Sequence, residues 1–119
     1  MHALIIEDDA ITAMMIGDEL RDLGYSSIDT ASTEQEAIEA VARHCPDLVT
    51  SDGSLFYGSG ISAVRRIRAA CAVPVIFITG DPDHTRQCLP DVPVVAKPFS
   101  VSQLAAAVES ANPAPLGTR

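Results

Sequence analysis

The sequence predicts an α/β protein with a doubly wound parallel sheet. Short apolar segments alternate five times with amphipathic segments along the 119 residues. The clearest apolar segment, Val75-Ile76-Phe77-Ile78, has apolar residues on both faces, which is typical of a strand that helices cover on both sides. Alternation of this kind is characteristic of βα units whose strands lie parallel in one sheet.

The first two strand–helix units occupy the amino-terminal third of the chain. Residues 3–6 form an apolar strand candidate, and the following helix ends at Gly24, a natural C-terminal cap. Residues 25–31 are a weaker strand candidate, and residues 32–35, Ser-Thr-Glu-Gln, predict a capping box for the second helix. Helical spacing predicts these inward residues: Ala13, Ile16, Leu20 and Leu23 in the first helix, and Ile38, Val41 and Ala42 in the second.

The third and fourth units follow the same order. Residues 47–51 predict a strand, and a helical stripe comes after a loop rich in glycine and serine. Residues 73–79 predict the fourth strand. The segment 80–91 contains two prolines and many polar residues, so any helix in it is short. The inward residues of the third helix are predicted to be Ile61, Val64 and Ile67.

The last unit combines a strand at residues 92–96 with a helix that Ser100 and Gln103 cap. The residue pattern ends the folded domain near residue 112, so residues 113–119 are expected to be a short tail. The inward residues of this helix are predicted to be Val101, Leu104, Ala105 and Val108.

Charge and cysteine content exclude several functional classes. The net charge is −8, and the acidic excess falls before residue 53. This balance disfavours binding to nucleic acid or to an anionic membrane, which requires a basic surface. The three cysteines, Cys45, Cys71 and Cys88, are far apart and contain no C-x-x-C motif. Their spacing favours free thiols in a reducing compartment over a disulfide framework or a structural zinc site.

Polar residues follow four of the predicted strands. Glu7, Asp8 and Asp9 follow the first strand and Asp52 the third, while Thr79 and Lys97 end the fourth and fifth. The carboxyl ends of parallel strands meet at one edge of a sheet, where ligands of such folds bind. Clustered carboxylates repel one another unless a cation neutralises them, and Mg²⁺ prefers oxygen ligands.

These residue types at one edge point to phosphoryl transfer. Asp52 is a candidate nucleophile, and Lys97, the only lysine of the chain, is a candidate partner for a phosphoryl oxygen, as is the Thr79 hydroxyl. Taken singly, each residue also has a structural interpretation: Asp9 can cap a helix, and Asp52 can belong to a turn. Lys97 is expected at a solvated strand end, so its replacement by alanine should leave the fold intact.

Five segments make nearly the whole chain resemble the receiver domain of two-component response regulators, of the single-domain chemotaxis-regulator type. The resemblance implies a flavodoxin-like (βα)5 fold with strand order 2-1-3-4-5, and a receiver domain at residues 1–112. The segments occur in family order: LIIEDD at 4–9, PDLVTSD at 46–52, Ser59-Gly60, VPVIFITG at 73–80 and AKPF at 96–99.

The resemblance also implies roles for individual residues. Asp52 corresponds to the phosphoacceptor, and Thr79 and Lys97 to the switch and charge-pairing residues. The Mg²⁺ ligands would be Glu7, Asp8, Asp52 and the backbone carbonyl of Ser54. The Lys97–Pro98 bond is a candidate cis peptide bond.

The implied function is a cytoplasmic signalling switch. A histidine kinase or a phosphotransfer protein would donate the phosphoryl group, and a downstream protein would recognise the product, with no role for nucleic acid or a membrane. Such a domain catalyses only its own phosphorylation and dephosphorylation. The chain is either a single-domain regulator or a domain of a longer protein.

Three positions depart from the family pattern. Phe56 replaces a common proline, Gly80 replaces a small alanine, and Val94 replaces the aromatic switch residue. Because valine has no ring to rotate, we predict that phosphorylation acts through reordering of residues 80–93. Two alternatives remain: a pseudo-receiver that binds proteins without phosphorylation, and a magnesium-dependent phosphohydrolase, although no D-x-D-x-[TV] motif stands at the first strand.

Overall fold

The computed structural model describes residues 1–111 and contains one five-stranded parallel sheet with strand order β2-β1-β3-β4-β5. This is the flavodoxin-like arrangement that the resemblance to receiver domains implies. The predicted tail at 113–119 lies outside the described residues. The elements are β1 (His2–Ile6), α1 (Ala10–Asp22), β2 (Ser27–Ala31), α2 (Glu34–Arg43), β3 (Leu48–Ser51), α3 (Gly60–Ala70), β4 (Val75–Thr79), α4 (Pro82–Cys88), β5 (Val94–Ala96) and α5 (Val101–Ala111).

Two apolar cores lie on opposite faces of the sheet. Successive residues of β1 alternate between them: Leu4 and Ile6 pack with α2 and α3, whereas Ala3 and Ile5 pack with α1 and α5. Every residue of β1, β3 and β4 is buried, as expected for strands covered by helices on both sides. Within residues 1–111, no helix has both the length and the apolar character needed to cross a membrane.

The polar caps of the helices fix where each helix begins. The side chains of Asp9, Ser59 and Asp81 accept backbone N–H groups at the starts of α1, α3 and α4. At α5, Ser100 and Gln103 form the predicted reciprocal capping box.

The predicted capping box of α2 is displaced by one residue. Thr33 is the cap and accepts the Glu36 N–H at 3.1 Å, while the Glu36 carboxylate accepts the Ser32 N–H at 2.8 Å. The Ser32–Gln35 pairing is therefore wrong.

Three predicted inward residues are exposed. Val101 is 58% exposed because the whole first turn of α5, residues 101–103, faces solvent. Leu23 is the C-cap residue of α1 and is also exposed, and Ala42 lies on the outer side of α2. In α2 the buried positions are Ala37, Ala40 and Val41, so the helix is rotated relative to the predicted face.

The structure corrects the expectation for two of the cysteines. Cys45 and Cys71 form a disulfide bond across 26 residues, and Cys88 is free. The bond lies at the amino edge of the sheet, where the segments that enter β3 and β4 run side by side. Val49 pairs with Val75 in these strands, and each cysteine lies four residues before its member of that pair.

Candidate functional site

Three carboxylates meet at the carboxyl edge of the sheet. Glu7 and Asp8 follow β1, and Asp52 follows the neighbouring strand β3. Backbone hydrogen bonds continue the sheet to these residues: the Glu7 N–H donates to the Ala31 carbonyl, and the Asp52 N–H to the Ile6 carbonyl, both at 2.9 Å. One oxygen from each of the three carboxylates lies within 4.8 Å of the others.

Lys97 reaches this cluster from the end of β5. Its Nζ donates to Glu7 Oε1 at 2.7 Å and to Asp52 Oδ2 at 3.1 Å. The Lys97 N–H also donates to the Thr79 carbonyl at 2.9 Å, and the Lys97–Pro98 bond is cis, as predicted. The sheet therefore brings the ammonium group and the proposed phosphoacceptor together from positions 45 residues apart.

Burial changes the electrostatics of the Glu7–Lys97 pair. Burial raises the pKa of Glu7, and the hydrogen bond from Lys97 offsets only part of that effect. For Lys97, burial acts to lower the pKa, but the hydrogen bonds to Glu7 and Asp52 outweigh it and the pKa is raised. Lys97 is therefore a permanent positive charge at this edge in neutral solution.

Asp8 and Asp9 have different environments. Asp8 is exposed, and its Oδ2 accepts the Phe56 N–H at 2.6 Å, which ties the end of β1 to the loop after β3. The Asp9 side chain caps α1 through the N–H and hydroxyl groups of Thr12. Asp9 therefore acts as the cap of α1, the structural role that its position allows, whereas Asp8 contributes an oxygen to the carboxylate cluster.

Thr79 lies beside the loop that residues 53–59 form after Asp52. Its hydroxyl is buried and accepts the Asp81 N–H at 3.1 Å. A Cβ atom at Gly53 would lie 3.5 Å from the Thr79 hydroxyl and 2.8 Å from that of Thr85, so both threonines abut the residue after Asp52. A cavity of about 250 Å³ lies between this loop and α4. Thr85 is a candidate site residue that sequence reasoning did not identify.

We call residues 53–59 the phosphoacceptor loop. The Ser54 N–H donates to Asp52 Oδ1 at 3.3 Å, and Ser54 pairs with Ser59 in an antiparallel bridge that closes the loop. Gly60, the first residue of α3, packs directly against the backbone of Asp52. A Cβ atom at this position would overlap the Asp52 carbonyl oxygen, so the contact requires glycine. The role of the Ser54 carbonyl as a metal ligand remains a prediction.

Glu34, at the first position of α2, is a second residue that the sequence did not reveal. Its carboxylate accepts hydrogen bonds from Ser59, Ser62 and Arg66. These partners are 25 to 32 residues away in sequence, so no local motif indicates the contacts.

The donor set fits Mg²⁺. All ligand atoms of the Glu7–Asp8–Asp52 cluster are carboxylate oxygens, and Asp8 is open to solvent, so water can complete a coordination shell. Within the described part of the chain, this is the one group of three acidic, histidine or cysteine side chains that lie so close together.

Comparisons with known proteins agree with this geometry. The family model for the response regulator receiver domain matches residues 3–109. The solution NMR structure of the PhyR response regulator receiver domain from Erythrobacter litoralis is 36% identical, with a TM-score of 0.85 over 97% of this chain and 92% of that one. A mutant of the anti-anti-sigma factor PhyR from Bartonella quintana is 33% identical, with a TM-score of 0.80 over 92% of this chain and 47% of that one.

A curated relative is longer than this chain. The transcriptional regulatory protein PdtaR from Mycobacterium tuberculosis is 33% identical over 114 residues, which cover 92% of this chain and 56% of that protein. The chain thus spans about half the length of this relative.

Proposed function

The chain belongs to the response regulator receiver domain family of two-component signalling, and from that premise we propose that it is a phosphoacceptor switch of a phosphorelay. In this proposal Asp52 accepts the phosphoryl group, and the phosphorylated domain changes its contacts with another protein. The observation that carries the proposal is the convergence of Lys97 with the three carboxylates at one sheet edge.

The donor in this proposal is a phosphohistidine of a kinase or a phosphotransfer protein. A carboxylate oxygen of Asp52 forms a bond to phosphorus while the N–P bond of the donor breaks, and the histidine nitrogen keeps the bonding electron pair. Mg²⁺, held by Glu7, Asp8, Asp52 and the Ser54 carbonyl, would neutralise the charge of the transferring group. In this proposal Lys97, whose Nζ now donates to Asp52, exchanges that contact for one with a phosphoryl oxygen.

The Thr79 hydroxyl is the proposed link between phosphorylation and the rest of the domain. It now accepts the Asp81 N–H, and Asp81 in turn caps α4. If Thr79 turns toward a phosphoryl oxygen on Asp52, the loop that begins α4 loses this hydrogen bond. Output through α4 is compatible with Val94, which has no ring to rotate.

A receiver domain implies a kinase as donor, and we propose a protein as the downstream partner. The name anti-anti-sigma factor, given to the PhyR relative, describes a regulator that acts through protein contacts. For this chain we propose action in the cytoplasm without contact to nucleic acid or membrane. The receiver domain is proposed to span residues 1–112.

The proposal is tested by intact-mass measurement after incubation with acetyl phosphate and Mg²⁺. We expect the wild type to gain the mass of one phosphoryl group, and Asp52→Asn to gain none, because an amide is not a nucleophile at this position. Chelation of Mg²⁺ should prevent the gain in the wild type.

Two other results would contradict the proposal. If neither acetyl phosphate nor a panel of histidine kinases modifies the wild type, the chain is a pseudo-receiver that binds proteins without phosphorylation. If the protein turns over external phosphoesters catalytically, it is a phosphohydrolase.

A further inference from the structure

The carboxylate of Glu34 holds the phosphoacceptor loop from outside the acidic cluster. We propose that Glu34 is a positioning residue that fixes this loop, and through it Asp8, in the geometry that the metal site requires. The inference rests on the proposed function because it concerns the same site. Glu34 belongs to α2 and lies outside the five segments that resemble the receiver family.

The Glu34 side chain makes three hydrogen bonds at once. Oε1 accepts the Ser59 N–H at 3.2 Å, while Oε2 accepts the Ser62 hydroxyl at 2.7 Å and Arg66 Nη1 at 3.2 Å. These hydrogen bonds, that from Ser62 first among them, lower the pKa of Glu34. The charged carboxylate therefore joins the end of the phosphoacceptor loop to the first turns of α3.

The backbone of Glu34 holds the same loop at a second point. Its N–H donates to the Tyr57 carbonyl at 3.4 Å, next to a parallel bridge between Thr33 and Tyr57. Tyr57 and Ser59 are therefore both anchored to the start of α2. Gly58, between them, has φ of +90°, a conformation that favours glycine.

Close packing at Gly58 makes the anchor tight. A Cβ atom at Gly58 would lie 2.7 Å from the Glu34 Cβ atom and 3.1 Å from Oε1. Only glycine at position 58 therefore lets the loop approach Glu34 so closely. The conformation of the turn at Gly58 and the position of the Glu34 carboxylate depend on each other for this reason.

Phe56 connects the anchored part of the loop to Asp8, one of the proposed metal ligands. Its N–H donates to Asp8 Oδ2 at 2.6 Å, and it directly precedes the anchored Tyr57. The Phe56 side chain is 78% exposed, so it contributes little packing that could hold the loop in place. When Glu34 is lost, we expect the loop to sample other conformations and the contact between Phe56 and Asp8 to open.

A purely structural role of Glu34 would be to tie α2 to α3 through Ser62 and Arg66. Two matched variants separate that role from loop positioning. The double variant Ser62→Ala/Arg66→Gln removes both hydrogen bonds from α3 to the Glu34 carboxylate but keeps its hydrogen bond from the Ser59 N–H of the loop. Glu36→Gln changes a carboxylate on the same helix whose hydrogen bonds go to Ser32 and not to the loop.

The first measurement uses metal-free protein without any phosphoryl donor. Amide hydrogen exchange at Phe56 and Ser59 should become severalfold faster in Glu34→Ala and remain near wild type in Ser62→Ala/Arg66→Gln and in Glu36→Gln. In Glu34→Gln the amide oxygen can still accept the Ser59 N–H, so exchange should be intermediate. This conservative variant also keeps the test valid if Glu34→Ala fails to fold.

The second measurement is Mg²⁺ affinity by NMR titration, with thermal unfolding of each variant in parallel. Removal of residues that orient metal ligands weakens affinity by about tenfold or more, and we expect that loss in Glu34→Ala. Unchanged exchange in Glu34→Ala, or an equal effect of Ser62→Ala/Arg66→Gln, would overturn the inference. A wild type that acetyl phosphate fails to modify would instead overturn the proposed function, whatever the exchange rates.

Discussion

The ammonium group of Lys97 neutralises a carboxylate that the fold has removed from water. The Glu7 side chain is 1% exposed and lies 2.7 Å from Lys97 Nζ, while the lysine side chain is 25% exposed. A buried carboxylate without a partner is costly, because it loses its hydration and gains nothing in return. Lys97 therefore contributes to stability as well as to the proposed phosphoryl contact.

This pairing changes the expected effect of removing Lys97. The sequence alone predicts that Lys97→Ala leaves the fold intact, because a strand-end lysine is usually solvated. The structure instead predicts a loss of about 2 kcal/mol in the free energy of unfolding, since Glu7 stays buried without its cation. Urea unfolding of the purified variant measures the loss.

A double variant identifies the cause of that loss. Glu7→Gln removes the buried charge, so Lys97→Ala should cost much less stability in a Glu7→Gln background than in the wild type. Equal costs in both backgrounds would show that the loss does not come from the pairing of Lys97 with Glu7.

The residues that the sequence identified and those that it missed differ in one respect. Glu7, Asp8, Asp52, Thr79 and Lys97 all lie at the carboxyl ends of strands, so the order of the strands is enough to bring them to one edge. Glu34 and Thr85 belong to helices, and whether they reach the site depends on how each helix is rotated and placed. Local sequence patterns do not specify that placement.

At the scale of elements, α4 is the least anchored helix next to the site. It has seven residues, of which only Thr85 is buried, and Leu89 follows as a buried cap. A helix this short has little stability of its own, so its position depends on its cap and its few contacts. The hydrogen bond between Thr79 and Asp81 is one of those contacts.

Beryllofluoride, which mimics the phosphoryl group on Asp52, should therefore perturb residues 80–93 more than α5. The reason is that the Thr79 hydroxyl would leave the Asp81 N–H for the bound fluoride. Backbone amide shifts in ¹H–¹⁵N NMR spectra, recorded with Mg²⁺ before and after addition, measure the change.

Thr79→Val is the control for this mechanism, because valine has the same shape and no hydroxyl. In this variant the shifts around Asp52 should remain, while those of residues 80–93 should largely disappear. Unchanged resonances at 80–93 in the wild type would refute output through α4.

The elements themselves were largely predictable, but their inner faces were not always so. The strands β1 and β4 are continuous apolar segments and admit few other interpretations. The weaker candidate at 25–31 contains a strand only from Ser27. Val101 fits the apolar period of α5, yet the helix begins in solvent, and sequence periodicity does not reveal where a helix meets the sheet.

At the scale of the whole molecule, α2 and α3 are fastened to each other at both ends. Glu34 connects them at the carboxyl edge of the sheet, and the disulfide between Cys45 and Cys71 connects them at the amino edge. The cysteine spacing along the chain does not indicate this bond. The strand order that the family resemblance implies does contain the information, because it makes β3 and β4 neighbours and so brings the segments before them together.

The disulfide should affect stability without affecting the proposed chemistry. Closing a loop of 26 residues restricts the unfolded chain, so reduction by dithiothreitol should lower the free energy of unfolding by about 3 kcal/mol. Cys45→Ser should show the same loss without dithiothreitol and no further loss with it, while Cys88→Ser should respond to dithiothreitol as the wild type does. Equal stability of the oxidised and reduced wild type would show that the bond adds nothing.

The rate of phosphorylation tests whether the disulfide affects the proposed chemistry. The bond lies at the edge of the sheet opposite to Asp52, so acetyl phosphate should modify the oxidised and reduced proteins at the same rate under conditions where both are folded. In a cytoplasm that keeps thiols reduced, the domain would then work without the bond. A clear difference in rate between the two forms would mean instead that the α2–α3 pair transmits the state of the amino edge to the phosphoacceptor loop, through the same Glu34 contacts that hold it.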